Sequence, residues 1–118
     1  MVSKTLGQRI RELRDQQDLS LRDFAKKLGG FSAAHLSDIE FGRRFPSDEL
    51  LLKMAHVLDT TVENLRQYDS RPPVEELKRR AEANPRYGFA LRKMVEKNIS
   101  SEEIEQLIED KSKRDKKE

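Results

Sequence analysis

The stretch Leu19–Ser47, LSLRDFAKKLGGFSAAHLSDIEFGRRFPS, constrains the fold more than any other part of the chain. Ser20 carries the hydroxyl of a helix N-cap, and Asp23 sits three residues on, where a capping box places its acid. Leu21, Phe24, Ala25 and Leu28 recur at helical spacing, so the helix that follows buries one face. Gly29-Gly30 stops it, because glycine enters the left-handed conformation of a helix end without a Cβ penalty. Ser32 then caps a second helix over Ala33–Phe41, with Leu36 and Ile39 pointing inward. Gly42 ends that helix, and Arg43-Arg44 and Pro46 follow at once. Two short helices joined by so tight a turn must cross each other and need further helices to cover their apolar faces.

Those helices are legible on either side. Leu6, Ile10 and Leu13 form a stripe at i, i+4, i+7. Pro46-Ser47 opens a helix with Leu50, Leu51, Met54, Ala55 and Leu58, and Thr60 or Thr61 caps a fifth with Val62, Leu65 and Tyr68. No segment has the β-branched alternation of a strand. Ser70-Arg71-Pro72-Pro73 breaks the pattern, since a proline pair resists helix continuation and Pro73 suits the first position of a new helix. Val74, Leu77 and Ala81 share a face beyond it. After Asn84-Pro85 comes an apolar helix with Tyr87, Phe89, Ala90, Leu91, Met94 and Val95, and Ser100 with Glu103 opens a third carrying Ile104, Leu107 and Ile108. The expected fold is all-α: a five-helix domain over 1–69, a linker at 70–73, a three-helix module over 74–110, and a disordered charged tail over 111–118.

The order helix, glycine turn, capped helix, glycine, basic pair is that of a helix-turn-helix, which places its second helix in the DNA major groove. Leu19-Ser20, Ala25, Leu28-Gly29, Ser32, Leu36-Ser37, Ile39-Glu40, Gly42 and Pro46-Ser47 together resemble the lambda-repressor/Cro-like family, also called the xenobiotic-response-element (XRE) family. The resemblance covers residues 5–68. It implies a five-helix domain that binds duplex DNA, usually as a homodimer, and most often represses transcription. The turn Leu28–Ser32 is one residue longer than the family's usual one. Phe41 stands where a polar residue is commoner; it either packs on the fourth helix or is a surface aromatic near DNA.

The residues assign roles within that frame. Ser32 leaves the start of the second helix free to point backbone N–H groups at a phosphate. Ala33, Ala34, His35, Ser37 and Asp38 are its outward residues. Ser37 and His35 donate or accept hydrogen bonds, Asp38 is suited to a cytosine amino group, and the alanine methyls suit thymine methyls. Arg22, Arg43 and Arg44 are the candidate phosphate contacts. Glu40 is expected to pair with an arginine of the first helix.

Net charge does not help this reading. Residues 1–69 hold 11 Lys+Arg and 11 Asp+Glu, so the +2 of the chain comes entirely from the second half. DNA affinity must then come from where charges sit. Catalysis has little support: the two histidines stand apart, there is no cysteine, and no metal-ligand spacing or phosphate-cradling glycine loop occurs. No metal, cofactor or catalytic residue is expected. The lack of cysteine, of a secretory signal at Met1–Leu6 and of any apolar run near the roughly 18 residues of a membrane span points to the cytoplasm, with no membrane association.

Apolar residues make up only 35% of the chain, against about 45–50% in a typical globular domain, and those of the second half all fall within its expected three-helix module. A segment of roughly 40 residues seldom folds alone. Val74, Leu77, Phe89, Leu91, Met94, Val95, Ile104, Leu107 and Ile108 are therefore the expected dimerisation set of a homodimeric repressor on a palindromic operator. The two-part layout also resembles repressors controlled by ImmA/IrrE-type metallopeptidases, and antitoxins that regulate their own operon. The alternative is thus an antitoxin or adaptor whose C-terminal helices bind a toxin or such a peptidase, with DNA binding secondary.

Overall fold

Five hydroxyl side chains divide the first part of the chain into helices. Thr5, Ser20, Ser32, Ser47 and Thr61 each accept a hydrogen bond from the backbone N–H three residues on. They start α1 (Leu6–Gln16), α2 (Leu21–Leu28), α3 (Ala33–Glu40), α4 (Asp48–Val57) and α5 (Val62–Arg66). At Thr5 the exchange is reciprocal, because the Gln8 side chain takes the Thr5 N–H in return. The structure, a computed structural model, describes residues 4–116. Among these the chain is all-helical, with α6 (Val74–Ala83), α7 (Pro85–Glu96) and α8 (Ser101–Lys116) completing the order. No helix among the described residues is long and apolar enough to cross a membrane.

The chain divides into two units, one ending at Arg71 and the other beginning at Pro72. In the first, α3 lies against both α1 and α2, α4 against α2 and α5, and α5 returns to α1. The inward stripes meet in one core, where Ile10, Phe24, Leu36, Ile39, Leu50, Leu51, Met54 and Leu65 are fully buried. Gly7 fixes the crossing of α1 on α3: a Cβ there would overlap the backbone carbonyl oxygens of Ile39 and Glu40. Glycine inside a helix costs about 0.5–1 kcal/mol relative to alanine. Here that cost permits backbone-to-backbone approach.

The buried charge of this unit lies at the same crossing. Arg14 of α1 donates through Nε and Nη2 to the two carboxylate oxygens of Glu40, at 2.7 and 3.0 Å, and through Nη1 to the Leu19 carbonyl at 2.7 Å. Arg14 is thus the first-helix partner expected for Glu40. The bidentate bond holds the guanidinium charged and raises its pKa from the usual value.

In the second unit Asn84 ends α6 and caps α7, its side chain accepting from the Arg86 N–H, with Pro85 in the first turn. Gly88 of α7 comes close to Ala81 of α6. Ser100 and Glu103 form the expected capping box at the start of α8. None of the three helices has a buried residue. The segment expected as a disordered tail from residue 111 instead continues α8 to Lys116, with 117–118 outside the described residues. Ion pairs Glu109–Lys113 and Lys111–Asp115 and the Gln106–Asp110 hydrogen bond, all four residues apart, support it as helix although every residue there is exposed.

Candidate nucleic-acid interface

The outer face of α3 follows from its cap and its core residues. Leu36, Ile39 and Glu40 turn inward, which leaves Ala33, Ala34, His35, Ser37 and Asp38 on the open side, Ala34 exposed and the others half-buried. Ser32 Oγ takes the His35 N–H at 3.1 Å. The N–H groups of the first turn before it have no partner within the helix and point out of its end. The turn between α2 and α3 takes two consecutive glycines at positive φ, Gly29 at +73° and Gly30 at +81°.

Cations stand at both ends of this face. Before α3, Arg22 and Lys26, one helical turn apart on α2, line a shallow hollow with Gly30, Phe31 and Ala33. After α3, Gly42 at φ +79° turns the chain so that the Arg43 and Arg44 N–H groups both donate to the Asp38 carbonyl. Arg43 Nε bonds Asp38 Oδ1 at 3.0 Å and Arg44 Nε lies 3.7 Å from Oδ2. The Asp38 carboxylate therefore faces the two arginines rather than standing alone at the groove face. Both arginine side chains are 62% exposed, so these pairs contribute little stability. Phe41 is 63% exposed, with the Arg43 guanidinium 5.1 Å from its ring centre. Of its two alternatives the surface aromatic is the one found.

Arg71, at the end of the unit, braces the same loop. Its guanidinium pairs with both Asp69 carboxylate oxygens, at 3.0 and 2.8 Å, donates to the Pro46 carbonyl at 2.9 Å and lies 4.7 Å from the Phe45 ring centre. The hydrogen bonds from Arg71 hold the Asp69 carboxyl below its usual pKa. A carboxylate with a depressed folded pKa stabilises fully above its unfolded pKa and loses that contribution as pH falls through the folded value. Asp69→Asn is expected to cost about 1 kcal/mol at pH 7, a modest figure because Arg71 is 37% exposed and its charge is screened. Thermal melts should show the deficit shrinking below about pH 4. A deficit unchanged at pH 3 would show that the carboxylate charge is not its source.

Sequence reasoning missed Lys26, whose signal is its spacing from Arg22, and Arg71, whose partners lie far away in sequence. In the second unit Met94 and Leu107 of the expected dimerisation set meet in one groove with Ala90 and Ile99. Phe89 and Val95 of α7 lie outside it and are exposed, as are Val74 of α6 and Ile108 of α8; Leu77, Leu91 and Ile104 are half-buried. Among the described residues no group of acidic, histidine or cysteine side chains is placed to hold a metal ion.

Comparison with known proteins places the first unit. Residues 10–65 match the family model described as Helix-turn-helix. A crystal structure of the master regulator for biofilm formation SinR in complex with DNA is 37% identical over 52% of this chain and 97% of that one, with a TM-score of 0.48. The SinR protein/SinI protein complex is 25% identical over 95% of this chain and 99% of that one, with a TM-score of 0.49. No curated protein sequence matches the chain. The chain belongs to the lambda-repressor/Cro-like (XRE) helix-turn-helix family of DNA-binding transcriptional regulators.

Proposed function

We propose that this protein is a cytoplasmic, homodimeric repressor that binds a palindromic operator through α3. The observation that carries the reading is the placement of cations: Arg22 and Lys26 before α3, Arg43 and Arg44 after it, with small and polar residues between. Eight residues of helix span about 12 Å, so the flanking cations reach the backbones on either side of a major groove. A domain of zero net charge gains affinity from such placement, where its overall charge supplies none. Ala33, Ala34, His35 and Ser37 face base edges, Ser32 presents the helix start to a phosphate, and Asp38 orients the arginine pair.

The homodimer is supported by the second unit, whose apolar residues are at most half-buried within it. A second copy supplies the missing cover and sets two α3 helices about 34 Å apart, one turn of DNA. Selection from random duplexes at two salt concentrations tests the whole reading. A palindromic sequence is expected to be enriched. Arg43→Ala/Arg44→Ala should weaken binding to every sequence and flatten the slope of log affinity against log salt by about 2. Changes at His35 or Ser37 should alter which sequence wins. Enrichment of no sequence would refute the repressor.

A further inference from the structure

We infer that Phe31, in the lengthened turn, is a specificity-determining positioning residue that holds the His35 ring in its base-reading orientation; this rests on the proposal that α3 reads bases. Phe31 is half-buried, its ring packed against the core of the first unit. The rings of Phe31 and His35 stack, with centroids 5.9 Å apart and planes 22° from parallel. The Lys53 ammonium of α4 lies 5.8 Å from the same Phe31 ring centre. Phe31 is thus anchored on the side of the core, and its ring serves as a platform for the imidazole.

The main chain of His35 is fixed independently, since Ser32 Oγ takes its N–H. What remains free is the side chain, with two torsions and a broad second one. Stacking of this kind biases such a population by about 2- to 10-fold. The two-glycine turn is what places the ring here. Gly29 and Gly30 both adopt positive φ, so the chain leaves α2, makes room for one more residue and still delivers Ser32 to the cap. Phe31 thereby reaches the core and remains beside the third residue of α3. An aliphatic side chain would fill the core position equally well but offer no flat surface to the imidazole.

The test compares Phe31→Leu, Phe31→Tyr, His35→Ala and Phe31→Leu/His35→Ala in the full chain, using the duplex enriched by the wild type and its single-base-pair variants. Phe31→Leu is expected to lower discrimination by about 2- to 10-fold at the base pair that His35→Ala affects, and nowhere else, with an unchanged salt slope. Phe31→Tyr should restore it, and the double variant should be no less selective than His35→Ala. In the free protein, proton NMR should show the His35 ring signals shifted by the Phe31 ring current, and the shift lost in Phe31→Leu whether or not that variant binds tightly. Loss of discrimination by Phe31→Leu at other positions, or equally in the His35→Ala background, would overturn the inference. So would a His35→Ala variant with unaltered base preference, although the repressor reading would stand. A wild type that enriches no duplex would remove both.

Discussion

Replacing Glu40 by Ala is expected to destabilise the first unit by about 3–5 kcal/mol, the cost of breaking a buried ion pair from one side. The Arg14 and Glu40 side chains are only 10% and 4% exposed. Removal of the carboxylate leaves a guanidinium that cannot shed its proton, with the half-buried Leu19 carbonyl and the exposed Asp15 carboxylate, 3.7 Å away, as its remaining partners. Natural domains are stable by about 5–15 kcal/mol, so such a loss removes a large part of the total. Urea unfolding should show a lower midpoint with little change in slope. Glu40→Gln, which keeps the shape and one acceptor, should cost less. Replacing Arg14 and Glu40 together by Met should recover much of the loss, because an apolar pair removes the desolvation problem. A cost below about 1 kcal/mol for Glu40→Ala would mean that water reaches the guanidinium. The pair also anchors the end of α3 from which Asp38 and the arginine loop project, so operator binding should fall with it.

Features set by a few consecutive residues were legible in the sequence. Ser20, Ser32, Ser47 and the Thr60-Thr61 pair mark the starts of α2 to α5, and a cap plus an apolar stripe is enough to place each, while α1 is placed by its stripe alone and its Thr5 cap emerges in the structure. The turn at Gly29-Gly30 and the end of α3 at Gly42 were legible for the same reason, since both need positive φ. Arg22, Arg43 and Arg44 could be singled out because their positions follow from the helix boundaries.

Apart from the pairing of Glu40 with the first helix, contacts between distant residues were not legible. Gly7 looks like a weak point in a helix until α3 is seen against it. Arg71 reads as part of a linker, yet its bonds to Asp69 and Pro46 place it in the first unit. Asp38 reads as an outward residue of α3. Its engagement by Arg43 and Arg44 depends on the angle at which the chain leaves Gly42. The charged run after residue 110 misled for another reason: its composition indicates solvation, which is present, but solvated lysines and acids four residues apart also support a helix.

Truncation after Arg71 is expected to produce a folded monomer whose operator affinity is lower by about 10²–10⁴-fold. The residues that form the first core all precede Arg71, and the Arg71 brace is retained, so the domain loses none of its own packing. In the proposed dimer, what it loses is the link between two half-sites. With two joined units the second α3 binds as an intramolecular event at high effective concentration, while a lone near-neutral domain binds each half-site with only its few placed cations. Sedimentation equilibrium should give a dimer mass for the full chain and a monomer mass for the truncated one. Leu107→Glu in the full chain, which puts a charge into the groove shared with Met94, should reproduce both effects without removing a residue. A full chain that sediments as a monomer, or a truncated one that binds the operator undiminished, would assign the apolar helices of the second unit to a different partner. The near-neutral first unit, with 12 Lys+Arg against 11 Asp+Glu through Arg71, is what makes the expected loss so large, because a strongly basic domain would hold the operator as a monomer through its phosphate contacts.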